Sequence, residues 1–113
     1  MSSDRHRNKL LTDILQAIVE IELFLGEKRD FDEYKNNLLV KKAVERELEI
    51  IGEAMNRLLQ ANQEIEITDA RKIISFRNRI IHGYDRVVDE VVWGVLTRHV
   101  PKLKSEVEIL LNS

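Results

Sequence analysis

The sequence predicts an all-α protein, a four- to five-helix up-down bundle. Three observations carry this. Gly and Pro number only 4 and 1 in 113 residues, so little interrupts a helix. Aromatic residues are 5% of the chain against 34% charged, a balance unlike that of sandwiches and barrels. Apolar residues recur every three or four positions along most of the chain.

Helix one is expected from about Asp4 to Leu25. Leu10 or Leu11, Ile14, Ile18, Ile21 and Leu25 form its stripe, and Gly26 stops it. Asp30 followed three residues later by Glu33 resembles a capping box, opening a short turn over Phe31 to Tyr34. Helix two is expected from about Asn37 to Ala61, with Val44, Leu48, Ile51, Met55 and Leu58 on its inner face. Gly52 interrupts it at a cost of about 1 kcal/mol relative to Ala. A residue so placed marks close approach, within the bundle or across a dimer.

After a loop over Asn62 to Ile67, Thr68 or Asp69 caps helix three, expected from Ala70 to about His82 and ended by Gly83. Asp85 to Asp89 carries the next cap. Trp93, Leu96, Val100, Leu103, Val107 and Leu110 then step by threes and fours across Pro101. Two helices in near-continuous line are expected, kinked or broken just before Pro101, with the proline in the first turn of the second.

The length suits one domain over residues 1–113 with a real core. The absence of Cys excludes disulfides, thiolate metal sites and a thiol nucleophile. The first residues hold no apolar segment that could serve as a signal peptide, and no apolar run approaches the roughly 18 residues of a membrane span. A cytoplasmic protein with no membrane partner is expected. No metal-ligand spacing or glycine-rich phosphate loop occurs, so no metal or cofactor is expected. His6 and His99 stand alone, and Trp93 reads as core.

Net charge is −2, which argues against a general nucleic-acid coat. The charge is segregated, however. Arg71 to Arg86 holds five Lys/Arg against one acid, and Glu45 to Glu53 holds four acids against one base. The two blocks can guide an anionic ligand, or be two solvated faces.

Within the basic block lies Arg77-Asn78-Arg79-Ile80-Ile81-His82-Gly83-Tyr84. Arg presents a planar fork of donors to phosphate. His exchanges protons near neutral pH. These side chains suit RNA cleavage without a metal. His82 would act as acid or base on the ribose 2′-OH or the leaving oxygen, and Arg77 would stabilise the phosphorane. Asn78 would orient His82 or donate to phosphate, and Arg79 would attract the RNA. On a regular helix Arg77 and His82 point about 140° apart. Joint action therefore needs a distorted helix end or a second copy of the chain across a homodimer cleft. Spacing alone favours a capped helix end with a solvated cationic face.

Three further stretches accompany the octapeptide: Leu48-Glu49-Ile50-Ile51-Gly52-Glu53-Ala54, Val91-Val92-Trp93 and Val100-Pro101-Lys102-Leu103. With R-x4-H-x-Y, these make the chain, from about Arg5 to Leu111, resemble the HepT-like family of the HEPN superfamily. Members are toxins of type VII toxin–antitoxin pairs. The resemblance implies a dimerising helical bundle and a metal-independent RNase with Arg77 and His82 as its active-site pair. It also implies a partner, a small nucleotidyltransferase antitoxin of the MNT type, which transfers AMP from ATP onto Tyr84. Some relatives are read only as binding partners of nucleotidyltransferases, so a non-catalytic helical module is the alternative.

Overall fold

A computed structural model describes residues 2–82 and 89–113, with side chains over 4–80 and 89–113. The expectations placed on Gly83, Tyr84 and residues 85–88, and on the side chain of His82, lie outside the described residues.

The described residues form helices joined by turns and short loops. Helix α1 spans Ser2–Leu25 and buries Leu10, Leu11, Ile14, Ile18 and Ile21. Gly26 ends it at φ 73°, a left-handed conformation that glycine adopts without strain, and its N–H returns to the Glu22 carbonyl at 3.0 Å. Asp30 starts α2, Phe31–Lys35, by accepting from the backbone N–H groups of Asp32 and Glu33. Helix α3 spans Leu38–Ala61, with Asn37 as its cap rather than its first residue; Asn37 Oδ1 accepts from the Val40 N–H at 3.1 Å.

Helix α4 spans Ala70–His82, as the periodicity predicts. Asp69 stands at the expected cap position, and its carbonyl accepts from the Ile73 N–H at 3.0 Å. The side chains of Thr68 and Asp69 are engaged elsewhere, by the C-terminal region. Thr68 donates through its hydroxyl to Glu106 at 2.6 Å, and Asp69 meets His99 at 2.9 Å. Each residue finds a distant partner that local spacing does not reveal, and together they fasten the start of α4 to the last part of the chain.

Helix α5, Asp89–Gly94, passes into a π-helical turn at Val95–His99 and on into α6, Val100–Leu111. The expected kink or break before Pro101 is this wide turn, in which the Val100 N–H reaches the Val95 carbonyl. Pro101 sits at the start of α6. A proline ring crowds the carbonyl four residues earlier, and a π turn widens the backbone where that crowding falls.

Helix α3 packs along α1, α4 lies on α3, and α6 lies on α1. The core between them includes Val44, Leu48, Ile51, Met55 and Leu58 of α3 with Leu96, Leu103 and Val107 of the C-terminal segment. Each fully buried aliphatic side chain contributes roughly 1.5–3 kcal/mol relative to exposure. Trp93, expected in the core, is half-buried and packs against it, its ring 5.4 Å from that of Tyr34 and 5.8 Å from that of Phe31, which seats α2 against α5. No described helix is long and apolar enough to cross a membrane.

Candidate active site

The geometry of the octapeptide begins one helix away, at Gly52. Helix α4 crosses α3 so closely that Arg77 lies directly on this glycine. A Cβ placed on Gly52 would be 2.5 Å from Cγ of Arg77 and nearer still to its Cβ. Only a residue without a side chain leaves room for the arginine stem. The energy lost by glycine in a helix interior is therefore exchanged for passage of a guanidinium between two helices. The structure resolves the alternatives for Gly52 in favour of contact within the bundle.

Past Gly52, Arg77 emerges beside Glu53. Its Nη2 lies 2.6 Å from Glu53 Oε2, and the other carboxylate oxygen accepts from Arg57 Nε at 3.1 Å. The Arg77 side chain is 23% exposed, and its Nε is buried without a partner among the described residues. It lines a groove of about 510 Å³ between α1 and α3, shared with Asp13, Arg46, Glu49 and Arg57. The acidic and basic blocks of the sequence are therefore partly paired with each other rather than separately solvated. A phosphate arriving at Arg77 would meet a guanidinium already fixed in place and would compete with Glu53 for it.

The other residues of the octapeptide separate around α4. Asn78 and Arg79 are exposed. Arg79 borders a different cleft, walled by Leu48 and Ile51 of α3, by Val95 and His99 of the π turn, and by α4 itself. Helix α4 stays helical through His82, so the backbone positions of Arg77 and His82 remain about 140° apart around its axis and about 7.5 Å apart along it. A distorted last turn, one of the two routes to joint action, is not what α4 adopts.

Two features escaped the sequence reading. One is the Glu53 partner of Arg77. Its only trace is the opposite sign of the two charge blocks. The other is the pairing of His99 with Asp69, which makes His99 no longer solitary. These residues are 30 positions apart, and the fold brings the π turn that carries His99 to the residue just before α4. The hydrogen bond from His99 holds the Asp69 carboxyl below its usual range, helped by the charges of Lys102 and Lys72. No group of three or more metal-ligating side chains occurs among the described residues.

An all-helical bundle whose fourth helix carries R-x4-H fits the HEPN type that the sequence resembles. The family model described as ribonuclease HepT-like matches residues 14–110, and the chain belongs to that family. It is 33% identical over 109 residues to the Methanocaldococcus jannaschii protein named "Putative RNase MJ1380", covering 96% of this chain and 99% of that one. It is 34% identical over 110 residues to the "Probable ribonuclease HepT" of Thermococcus cleftensis, covering 94% of this chain and 96% of the relative. No solved structure matches.

Proposed function

We propose that the chain is a metal-independent endoribonuclease, one HepT-like domain over residues 1–113, whose active site forms where two copies meet. The observation that carries this is the placement of Arg77. It is anchored on Gly52 and points to one side of α4, while His82 occupies a position on another side of the same regular helix. The divergence of the two backbone positions argues against a single copy bringing the pair to a common phosphate. Two copies related by a twofold axis can, with Arg77 of one facing His82 of the other.

In that cleft His82 takes the proton of the ribose 2′-OH as its oxygen attacks phosphorus. The 5′-oxygen of the next nucleotide leaves and gains a proton, and a 2′,3′-cyclic phosphate remains. Arg77 neutralises the additional negative charge on the pentavalent intermediate. Asn78 donates to a phosphate oxygen or orients His82, and Arg79 draws the strand in. Within this reading the protein is the toxin of a toxin–antitoxin pair. A nucleotidyltransferase antitoxin of the MNT type silences it by forming a bond from the Tyr84 oxygen to the α-phosphorus of ATP, with pyrophosphate leaving. The adduct, anionic and two residues from His82, would obstruct the cleft and compete with RNA for Arg77.

Expression without the antitoxin is expected to arrest growth, and Arg77→Ala or His82→Ala to relieve the arrest. Undiminished toxicity in both variants overturns the nuclease reading. Intact mass after co-expression with the nucleotidyltransferase tests the switch. A gain of one or more AMP units, absent in Tyr84→Phe, is expected, and an unmodified wild-type chain contradicts it.

One observation favours a second reading, that of a non-catalytic partner of a nucleotidyltransferase. The Arg77 guanidinium is held by Glu53, as a purely structural arginine would be. Glu53→Gln separates the two. A nuclease should keep or gain RNA affinity when the competing carboxylate is neutralised, whereas a binding module should show no RNA cleavage with either residue.

A further inference from the structure

The cleft that Arg79 borders holds about 350 Å³ and lies between α3, α4 and the π turn. That volume is within the usual range of small-ligand sites, roughly 300–1,000 Å³. Its interior is apolar, with Leu48, Ile51, Phe76, Val95 and Leu103 among its walls. Its mouth is not. Asp69 and His99 meet there, and Arg71, Lys72 and Arg79 stand around them.

The chemistry of this mouth narrows the occupant. An aliphatic carboxylate would match the apolar interior and the cations, but it has no hydrogen-bond donor for the Asp69 carboxylate. A nucleotide satisfies all three parts. Its base fills apolar space with a flat face, its ring edge carries N–H donors for Asp69, and its phosphate carries the charge for Lys72 and Arg79. Because Asp69 can only accept while ionised, the His99 Nδ1–H must donate to it. The imidazole is thereby fixed in one orientation at the mouth.

The position of the cleft connects it with the proposed active site. Lys72, Ser75 and Arg79 recur at i, i+3 and i+7, one stripe of α4. His82 takes the next position of that stripe, i+10. A strand whose scissile phosphate lies at the end of α4 would pass Arg79 and Lys72 as it continued along the helix. The π turn supplies the opposite wall, since Val95 and His99 both belong to it. Such turns recur at functional sites because they re-aim side chains out of the regular helical phase.

We propose that this cleft is a nucleotide subsite, which takes the base of an RNA nucleotide flanking the cleavage point into the apolar space and its phosphate onto Arg79 and Lys72. The proposal rests on the nuclease reading of the preceding subsection.

The test uses the full-length protein with a short RNA carrying 4-thiouridine at successive positions. Photocrosslinked peptides are identified by mass spectrometry. Crosslinks from one or two adjacent positions are expected to map to residues 71–79 and 95–103. Ser75→Trp places a bulky ring at the mouth from an exposed position, so folding should be unaffected. It is expected to abolish those crosslinks and to weaken RNA binding at least about fivefold, the low end for one base. Crosslinks elsewhere, with RNA still cut by the wild type, overturn the subsite alone. Loss of the crosslinks when free nucleoside monophosphate is added at the RNA concentration also overturns it, in favour of a free-nucleotide site. A wild-type protein that cuts no RNA overturns the nuclease reading instead.

Discussion

Gly52 and Arg77 share one volume: the arginine stem occupies the space where any other residue at position 52 would place its Cβ. A glycine on α3 and an arginine on α4, 25 positions apart in sequence, thus form one device. The glycine sets the distance between the helices, and the arginine uses the opening to reach Glu53.

Gly52→Ala tests that device. In an ordinary helix interior the change would stabilise by about 1 kcal/mol. Here the methyl group overlaps Arg77, and overpacking of this kind costs about 1–3 kcal/mol. A net loss of up to about 2 kcal/mol in urea denaturation is expected, together with lost RNA cleavage. In an Arg77→Gly background the same Gly52→Ala change should become stabilising. A Gly52→Ala protein more stable than wild type by about 1 kcal/mol, the gain of an unobstructed helix interior, would contradict the close contact.

The α1–α3 interface makes stability depend on pH. Glu47 of α3 is buried, and its carboxyl is pushed up to about 7 by that burial and by the hydrogen bond and charge of Glu20 on α1, against a smaller opposing effect of Arg46. The folded state therefore holds a proton that the unfolded chain releases near 4.5. The stabilisation is complete below about 4.5 and is lost as pH rises through about 7. Its size is about 3 kcal/mol at most. Glu47→Gln should flatten the fall in melting temperature between pH 5 and pH 8, roughly the interval those values bracket, and leave the variant more stable at the upper end. An unchanged pH profile would show that the two carboxyls do not share a proton.

Tyr34 carries an opposite lesson. Its ring is buried against Trp93, yet its hydroxyl has no partner among the described residues. Burial, with the charges of Glu45 and Asp89, raises its ionisation well above the ordinary phenol range, so the group stays neutral. An unpaired buried hydroxyl costs about 1–3 kcal/mol in lost hydration. Tyr34→Phe should therefore leave thermal stability unchanged or raise it by up to about 1 kcal/mol. A loss of more than that, measured calorimetrically, would mean that the hydroxyl has a partner.

Much of the fold was legible because helices dominate it and their apolar stripes are regular. Leu11, Ile14, Ile18 and Ile21 declare α1, and Val44, Leu48, Ile51, Met55 and Leu58 declare α3, each through short-range spacing. Gly52 was legible as a site of close approach because a mid-helix glycine needs a reason. Its partner was not, since spacing says nothing about which residue comes near. The same limit explains Thr68 and Asp69. Both are good capping residues by type, but Glu106 and His99 engage their side chains from across the fold. The π turn was foreshadowed only by Pro101, which signals that the preceding turn must yield but not how. Within the candidate site, residue types pointed to phosphate chemistry, and helical geometry showed that Arg77 and His82 diverge. The pairing of Arg77 with Glu53 became visible only when α3 and α4 were placed side by side.

The central claim is that Arg77 of one copy acts with His82 of another. It is tested most directly by mixing Arg77→Ala chains with His82→Ala chains, unfolding and refolding them together, and measuring RNA cleavage. Each variant alone should be inactive. A mixed dimer pairs the intact Arg77 of one chain with the intact His82 of the other in one of its two sites. With random pairing, activity should recover to about a quarter of wild type. Mixed dimers that form, as shown by native mass spectrometry, but cut no RNA would contradict the account.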